Sequence, residues 1–273
     1  LYKGLGHNFF RKKKVDLIYD ELKYFKDKHK VEYNYFWADT FFAWSNKEFD
    51  EFCEMYKDFK MPFWCQTRVE TVTHERIKKL KDIGLHMLAF GMEHGNEKFR
   101  ADVIDRKYSN KSAVDALQIP HQYDVPFTVN NIIGFPGETR ELAFDTIEIN
   151  RQWQADQMSC SILQPYFGTP LRRLAVQNNY LDPNSICPAN SDDTMLNLPD
   201  FSADQMKGLR RTFAMYVKFP KNRWKDIERA EKLTDEGNKI WESLRQEYIS
   251  NFLNDSNTSI QEQGNFKPQN SED

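Results

Sequence analysis

The stretch NNIIGFPGET, Asn130 to Thr139, decides how the rest of the chain is read. Two apolar residues run into a Gly-Phe-Pro-Gly turn, and Glu138-Thr139 then opens a helical pattern, so a buried strand hands over to a helix through a tight loop. A glycine-bearing loop in that position is the first place to look for a phosphate grip. No lysine follows the glycines, and neither GxxxxGK with Ser or Thr nor GxGxxG occurs in the chain, so the triphosphate and dinucleotide readings are weak.

The same handover repeats on both sides. Ile18, Leu22 and Phe25 recur at helical spacing from Val15 to Lys28, and the β-rich run VEYNYFW, Val31 to Trp37, follows. Phe49, Phe52, Cys53 and Tyr56 give a second helical stripe, which Pro62 ends before a strand at Phe63 to Gln66. Thr73 caps a third helix carrying Ile77 and Leu80, Gly84 stands where a helix-ending left-handed residue belongs, and LHMLAF, Leu85 to Phe90, is the third strand. A fourth helix spans Asn110 to about Tyr123, with Pro120 kinking or ending it, and FTVNNIIG is the fourth strand. A helix over about Glu138 to Trp153 then leads to SCSILQPYF, Ser159 to Phe167. Five helix-to-strand alternations with strands apolar on both faces specify an α/β chain with a parallel sheet. An open doubly wound sheet and a barrel both satisfy that pattern, and both place ligands at the carboxyl ends of the strands.

Beyond PYFGTPL the chain becomes irregular, rich in Asn and Pro, over about Asn178 to Asp200. Ser202 with Gln205 forms a capping box ahead of a helix striped by Met206, Leu209, Phe213 and Tyr216, and one long charged helix follows from about Trp224 to Phe252. From Asn254 onward almost no apolar residue remains, and the expectation there is a disordered tail.

The 38 basic and 41 acidic residues give a net charge of -3, so no global field draws nucleic acid, and RKKK, Arg11 to Lys14, reads as a solvated turn. No apolar run approaches the ~20 residues of a membrane span, and no charged-apolar leader opens the chain. A cytoplasmic protein is expected. Cys53, Cys65, Cys160 and Cys187 lie too far apart for a CxxC pair, so they read as reduced thiols in or near a core. The six histidines are dispersed, and only His94, beside Glu93, merits attention. No GxSxG elbow is present, which argues against a hydrolase triad.

Polar residues recur where the strands end: Asp39, then Gln66 and Arg68, Glu93, Asn130 with Asn131, and Gln164. Gathered on one rim they form a ligand site, because buried polar groups need partners. Carboxylates, amides and arginine suit a zwitterionic or polyhydroxyl ligand, with Asp39 for an ammonium, Arg68 or Arg106 for a carboxylate and Glu93 for sugar hydroxyls.

In order, FFRKKKVDLIYDELKYF, YFWADTFF, FWCQTRVETVTHERIKKLKDIG, LAFGMEHGNEKFR, DRKYSNKSAVDAL, NNIIGFPGETRELAFDTIEIN and LQPYFGTPL resemble the catalytic barrel of radical S-adenosylmethionine (SAM) enzymes, over roughly residues 9 to 220. The closest likeness is to the subgroup that often carries an upstream cobalamin-binding domain. The resemblance implies a partial parallel (β/α) barrel over 1–175 lacking its first strand, then an irregular segment with C-terminal helices over 176–253 and the tail at 254–273. It implies that Asp39 meets the methionine ammonium, Gln66 and Glu93 the ribose, and Arg106 the methionine carboxylate, with Arg68 nearby. Asn130, Ile133 and Gly134 in NIIGFP would pack against the nucleoside, Gly134 clearing space for it. Gln164 and Tyr166 lie in the LQPYFGTP segment whose backbone would read the adenine.

The family's reaction starts at a 4Fe-4S cluster held by CxxxCxxC, and no such motif is present in these 273 residues. The expectation is therefore a piece of a longer enzyme, inactive alone. The whole enzyme would cleave SAM reductively, take electrons from a flavodoxin- or ferredoxin-type donor and modify a small-molecule substrate, by methyl transfer if cobalamin is bound upstream. The alternatives are a non-catalytic SAM- or nucleoside-binding homologue or scaffold without the cluster, or a metal-free lyase or isomerase using Asp39 and Glu93 as acid and base.

Overall fold

In the computed structural model, which describes residues 12–153, 155–187 and 193–253, strands and helices alternate as the sequence requires. Helix α1 (Val15–His29) leads to β1 (Asn34–Phe36), α2 (Asn46–Tyr56) to β2 (Phe63–Arg68), and α3 (His74–Asp82) to β3 (Leu85–Glu93). Helices α4 (Glu97–Val103) and α5 (Asn110–His121) precede β4 (Phe127–Ile133), and α6 (Arg140–Asn150) precedes β5 (Gln157–Ile162). Four further helices follow: α7 (Pro170–Gln177), α8 (Ala203–Lys218), α9 (Trp224–Glu231) and α10 (Asp235–Phe252).

All strand pairs are parallel and the sheet order is β1-β2-β3-β4-β5. This order separates the two architectures left open by periodicity. A doubly wound sheet reverses direction at a switch point, whereas here each crossover adds the next strand on the same side. With crossovers of one hand the helices collect on one face, and the sheet is an arc of a barrel. Phe63, Cys65, Leu88, Phe90, Met92, Phe127 and Val129 join residues of α2, α3 and α5 in one outer core. Ile133 and Ile162 enter a second core with Met206, Leu209, Phe213 and Tyr216 of α8. The inner face carries only a small cluster of Trp64, Met87 and Ala89.

Where element ends differ from expectation, hydrogen bonding explains the difference. Strand β1 is shorter than Val31–Trp37 because its partner starts at Phe63, behind Pro62, which has no N–H to offer. Strands β2 and β3 run further than Gln66 and Phe90, so Arg68 and Glu93 are their last residues. Strand β5 lies earlier than Ser159–Phe167, because pairing with β4 stops at Ile133–Ile162, where Gly134 turns the chain at φ +84. The short helices α4 and α7 were not anticipated; Asn96 and Thr169 cap them, with Pro170 at the start of the second. The single helix expected from Trp224 is two, since Thr234 caps a new start. The expected tail, 254–273, lies outside the described residues.

Thr139, not a residue upstream, caps α6 by accepting the Leu142 N–H, which leaves Glu138 outside the helix. Glu138 is 1% exposed and its Oε2 accepts the N–H groups of Gly134 at 2.6 Å and Phe135 at 2.8 Å. Its Oε1 lies 3.1 Å from Nε2 of fully buried His94. His94 Nδ1 accepts the Asn96 N–H, so the ring proton sits on Nε2 and is donated to Glu138. The anion this loop binds is thus its own side chain. Removing it would orphan two buried amides and a buried imidazole; Glu138→Ala is expected to lower unfolding free energy by about 3 kcal/mol, measured by urea denaturation.

Candidate functional site at the strand carboxyl ends

The end of β3 projects past the regular ladder, with a register shift between Gly91 and Glu93 and Glu93 itself at φ +68. A strand end of this kind exposes carbonyl groups that must be satisfied. One segment does so: Arg106 Nη1 donates to Gly91 O at 2.9 Å, Tyr108 Oη to Met92 O at 2.9 Å, Arg100 Nη1 to His94 O at 2.8 Å, and Asn110 Nδ2 to Gly95 O at 2.8 Å. The same folding-back brings Arg106 Nη2 to 3.0 Å from Glu93 Oε1, with the two side chains 20% and 16% exposed. Gly91 lies beneath them, and a Cβ there would stand 2.5 Å from Glu93 Oε1, so a larger residue would displace that carboxylate.

Strand alternation sorts the other candidates onto two faces. Gln66 and Arg68 alternate with the outward Cys65 and Thr67, so both lie on the inner face, half-buried. Arg68 pairs with Glu70 at 2.6 Å, yet its Nε is buried without a partner. Gly91, Asn130 and Ser159 are register neighbours across β3, β4 and β5, and Ser159 Oγ donates to Asn130 Oδ1 at 2.8 Å. Gln164, just past β5, donates from Nε2 to Asp193 O at 2.7 Å while its Oε1 is buried and unpartnered. Tyr166 is 51% exposed. Asp39 is exposed past the end of β1 and forms no ion pair with a described residue.

Several expected roles are corrected by this sorting. Ile133 points its side chain into the outer core, so only its backbone faces the rim. The room left at Gly134 is filled by Met206 Sδ, 2.8 Å from where a Cβ would be, and Ile162 Cγ2 at 3.2 Å, so that glycine serves helix packing and not ligand clearance. Asn131 is on the outer face, where it exchanges hydrogen bonds with Asn150. His94 is consumed by Glu138. Ser159 was missed, although its strand register with Asn130 could have indicated it; Arg100 was missed because the short helix that carries it was not expected and nothing local marks the carbonyls it meets.

The inner rim therefore offers a carboxylate beside a guanidinium, a row of small and polar side chains between them and β5, and two buried polar atoms, Arg68 Nε and Gln164 Oε1, still wanting partners. That donor set fits an amino-acid-bearing nucleoside such as SAM. It does not fit a 4Fe-4S cluster. No three His, Cys, Asp or Glu are grouped as metal ligands among the described residues, and burial raises the thiols of Cys53, to about 12, and of Cys65 and Cys160, away from the thiolate that iron requires.

A model of the Radical SAM superfamily matches residues 4–148, just over half of the chain, and the chain belongs to that superfamily. It is 26% identical over 215 residues to an uncharacterized methyltransferase of Pyrococcus horikoshii, covering 78% of this chain and 47% of that protein. It is 25% identical over 160 residues to the anaerobic magnesium-protoporphyrin IX monomethyl ester cyclase of Cereibacter sphaeroides, covering 56% of this chain and 26% of that protein. The chain thus spans less than half the length of either curated relative.

Among solved structures, the radical SAM methyltransferase TsrM of Kitasatospora setae, bound to cobalamin and a 4Fe-4S cluster, superposes with TM-score 0.53 at 11% identity, over 86% of this chain and 56% of that one. The cobalamin-dependent SAM radical enzyme OxsB, with aqua-cobalamin and SAM bound, gives 0.56 at 12%, over 87% and 42%. At such identities the likeness is one of fold, and it establishes the radical SAM barrel arc. No described helix is long and apolar enough to cross a membrane.

Burial raises the Glu93 carboxyl above the ordinary glutamate value of 4.5, with Arg106 and Arg68 pulling it back. A carboxyl raised on folding contributes stability that is full below its unfolded value and lost as pH climbs through the folded one. Wild type is therefore expected to lose stability relative to Glu93→Gln as pH rises above 4.5. Urea unfolding of both proteins at about pH 4 and about pH 7 checks this, and a pH-independent difference between them would contradict it.

Proposed function

We propose that this chain is the SAM-binding part of a radical SAM enzyme, with the ligand lying on the inner rim between β1 and β5. The observation that carries the reading is the Glu93–Arg106 pair, 3.0 Å apart beside the Gly91–Asn130–Ser159 row. In the absence of ligand the two charges neutralise each other. On binding, Arg106 exchanges the Glu93 carboxylate for the methionine carboxylate, and Glu93, with Gln66, turns to the ribose hydroxyls. Asp39, unpaired with any described residue, takes the ammonium, while the strand-end backbone near Ile133 and Gly134 and the segment from Gln164 to Tyr166 border the adenine.

When bound, a 4Fe-4S cluster would supply the electron for reductive cleavage of SAM, and its ligands would have to come from outside these residues. The same holds for cobalamin and for an electron-donor protein, and the transformation favoured for the whole protein is methyl transfer to a small-molecule substrate, in line with the methyltransferase names of the Pyrococcus horikoshii relative and of TsrM. A non-catalytic SAM-binding homologue is the second reading. It needs only the inner-rim residues described above and no cluster ligand.

Titration calorimetry with SAM separates these from a scaffold. Wild type is expected to bind, and Arg106→Ala to bind at least about tenfold more weakly, since a charge-assisted contact is lost. An absence of binding heat with SAM in the millimolar range would sink the proposed site.

A further inference from the structure

Arg100 is fully buried, and no carboxylate of a described residue pairs with it. A buried cation held only by neutral acceptors is costly, so its geometry has to be doing something a leucine would not. Its guanidinium spans two chain segments: Nη1 donates to His94 O and to Asn110 Oδ1, both at 2.8 Å, and Nη2 to Tyr108 O at 2.6 Å. His94 directly follows Glu93, and Tyr108 lies two residues past Arg106. The Arg100 carbonyl in turn accepts the Arg106 N–H at 3.2 Å. Tyr108 closes the assembly with its ring 4.2 Å from the Arg100 guanidinium.

Two residues in this assembly occupy backbone conformations that side chains disfavour, Glu93 at φ +68 and Asp105, next to Arg106, at φ +58. Such residues stay put only when the surroundings over-determine them. We propose that Arg100 is the positioning residue for the Glu93–Arg106 pair, a rigid strut whose planar fork fixes the distance between the chain leaving Glu93 and the chain arriving from Arg106. Lysine keeps the charge but not the fork, and one ammonium cannot hold the same set of acceptors in one plane. The ligand-binding arm of the test rests on the SAM reading above; the other arm does not.

The first arm follows the Glu93 carboxyl by NMR through a pH titration of the 273-residue chain, with Glu93→Gln identifying its signal. Arg106→Ala is expected to move the Glu93 titration upward, because a neighbouring cation is lost. Arg100→Lys is expected to move it upward too, and the double variant no further than Arg106→Ala. A folded Arg100→Lys protein in which Glu93 titrates as in wild type overturns the proposal, as does a double variant whose shift is the sum of the two.

The second arm measures SAM affinity, expected to fall about tenfold in Arg100→Lys, the scale of losing an outer support, with no additional loss on top of Arg106→Ala. If wild type binds no SAM, the proposed function fails while the titration arm still decides the role of Arg100. Should Arg100→Lys not fold, Asn110→Ala removes one of its acceptors and is expected to raise the Glu93 titration by a smaller step; no shift there overturns the proposal.

Discussion

Glu138 lies 1% exposed between two strand ends, with one oxygen on the amides of Gly134 and Phe135 and the other facing His94. The bonds tie the loop after β4 to the first residue after β3, across a gap that the sheet ladder does not bridge. Without that link the left-handed turn at Gly134 would have two buried amides and no acceptor, and buried amides left unmade cost more than made ones gain. The carboxylate also closes the question raised by the glycines. A loop whose amides already hold an internal anion has none left to offer a phosphate.

Downstream of that link, the β3 end is organised by unmet carbonyls. The carbonyl oxygens of Gly91, Met92, His94 and Gly95 are met one by one by Arg106, Tyr108, Arg100 and Asn110. The consequence is geometric: a segment recruited to satisfy backbone groups arrives with a guanidinium within 3.0 Å of the only acidic side chain on the β3 end. Structure and site are here the same set of bonds, so the charged pair is preorganised before any ligand arrives.

Much of this was legible in the sequence for identifiable reasons. Strands apolar on both faces announced a parallel sheet, and Ser202-Gln205 and Thr73 capped helices where their hydroxyls predicted. The Glu93–Arg106 ion pair was not legible, since charge complementarity had assigned each of the two to a different group of the ligand. What failed failed through face and partner: Ile133 sits one step out of phase with Asn130's side of the strand, and the space at Gly134 is taken by Met206, seventy-two residues away, which no local pattern encodes. Glu138 read as a first-turn acid until Thr139 took the cap, and Arg100 drew no reading because the carbonyls that hold it belong to loops.

The strictly sequential strand order has a bearing on how the chain comes into being. Each strand pairs with the one made just before it, so every ladder can close as soon as one more helix and strand have left the ribosome, and no strand waits for a distant partner. Co-translational growth of the arc would then proceed from β1 towards β5, the newest strand always forming the advancing edge, and the Glu93–Arg106 rim would be complete before α8 arrives to seal the outer core behind β4 and β5.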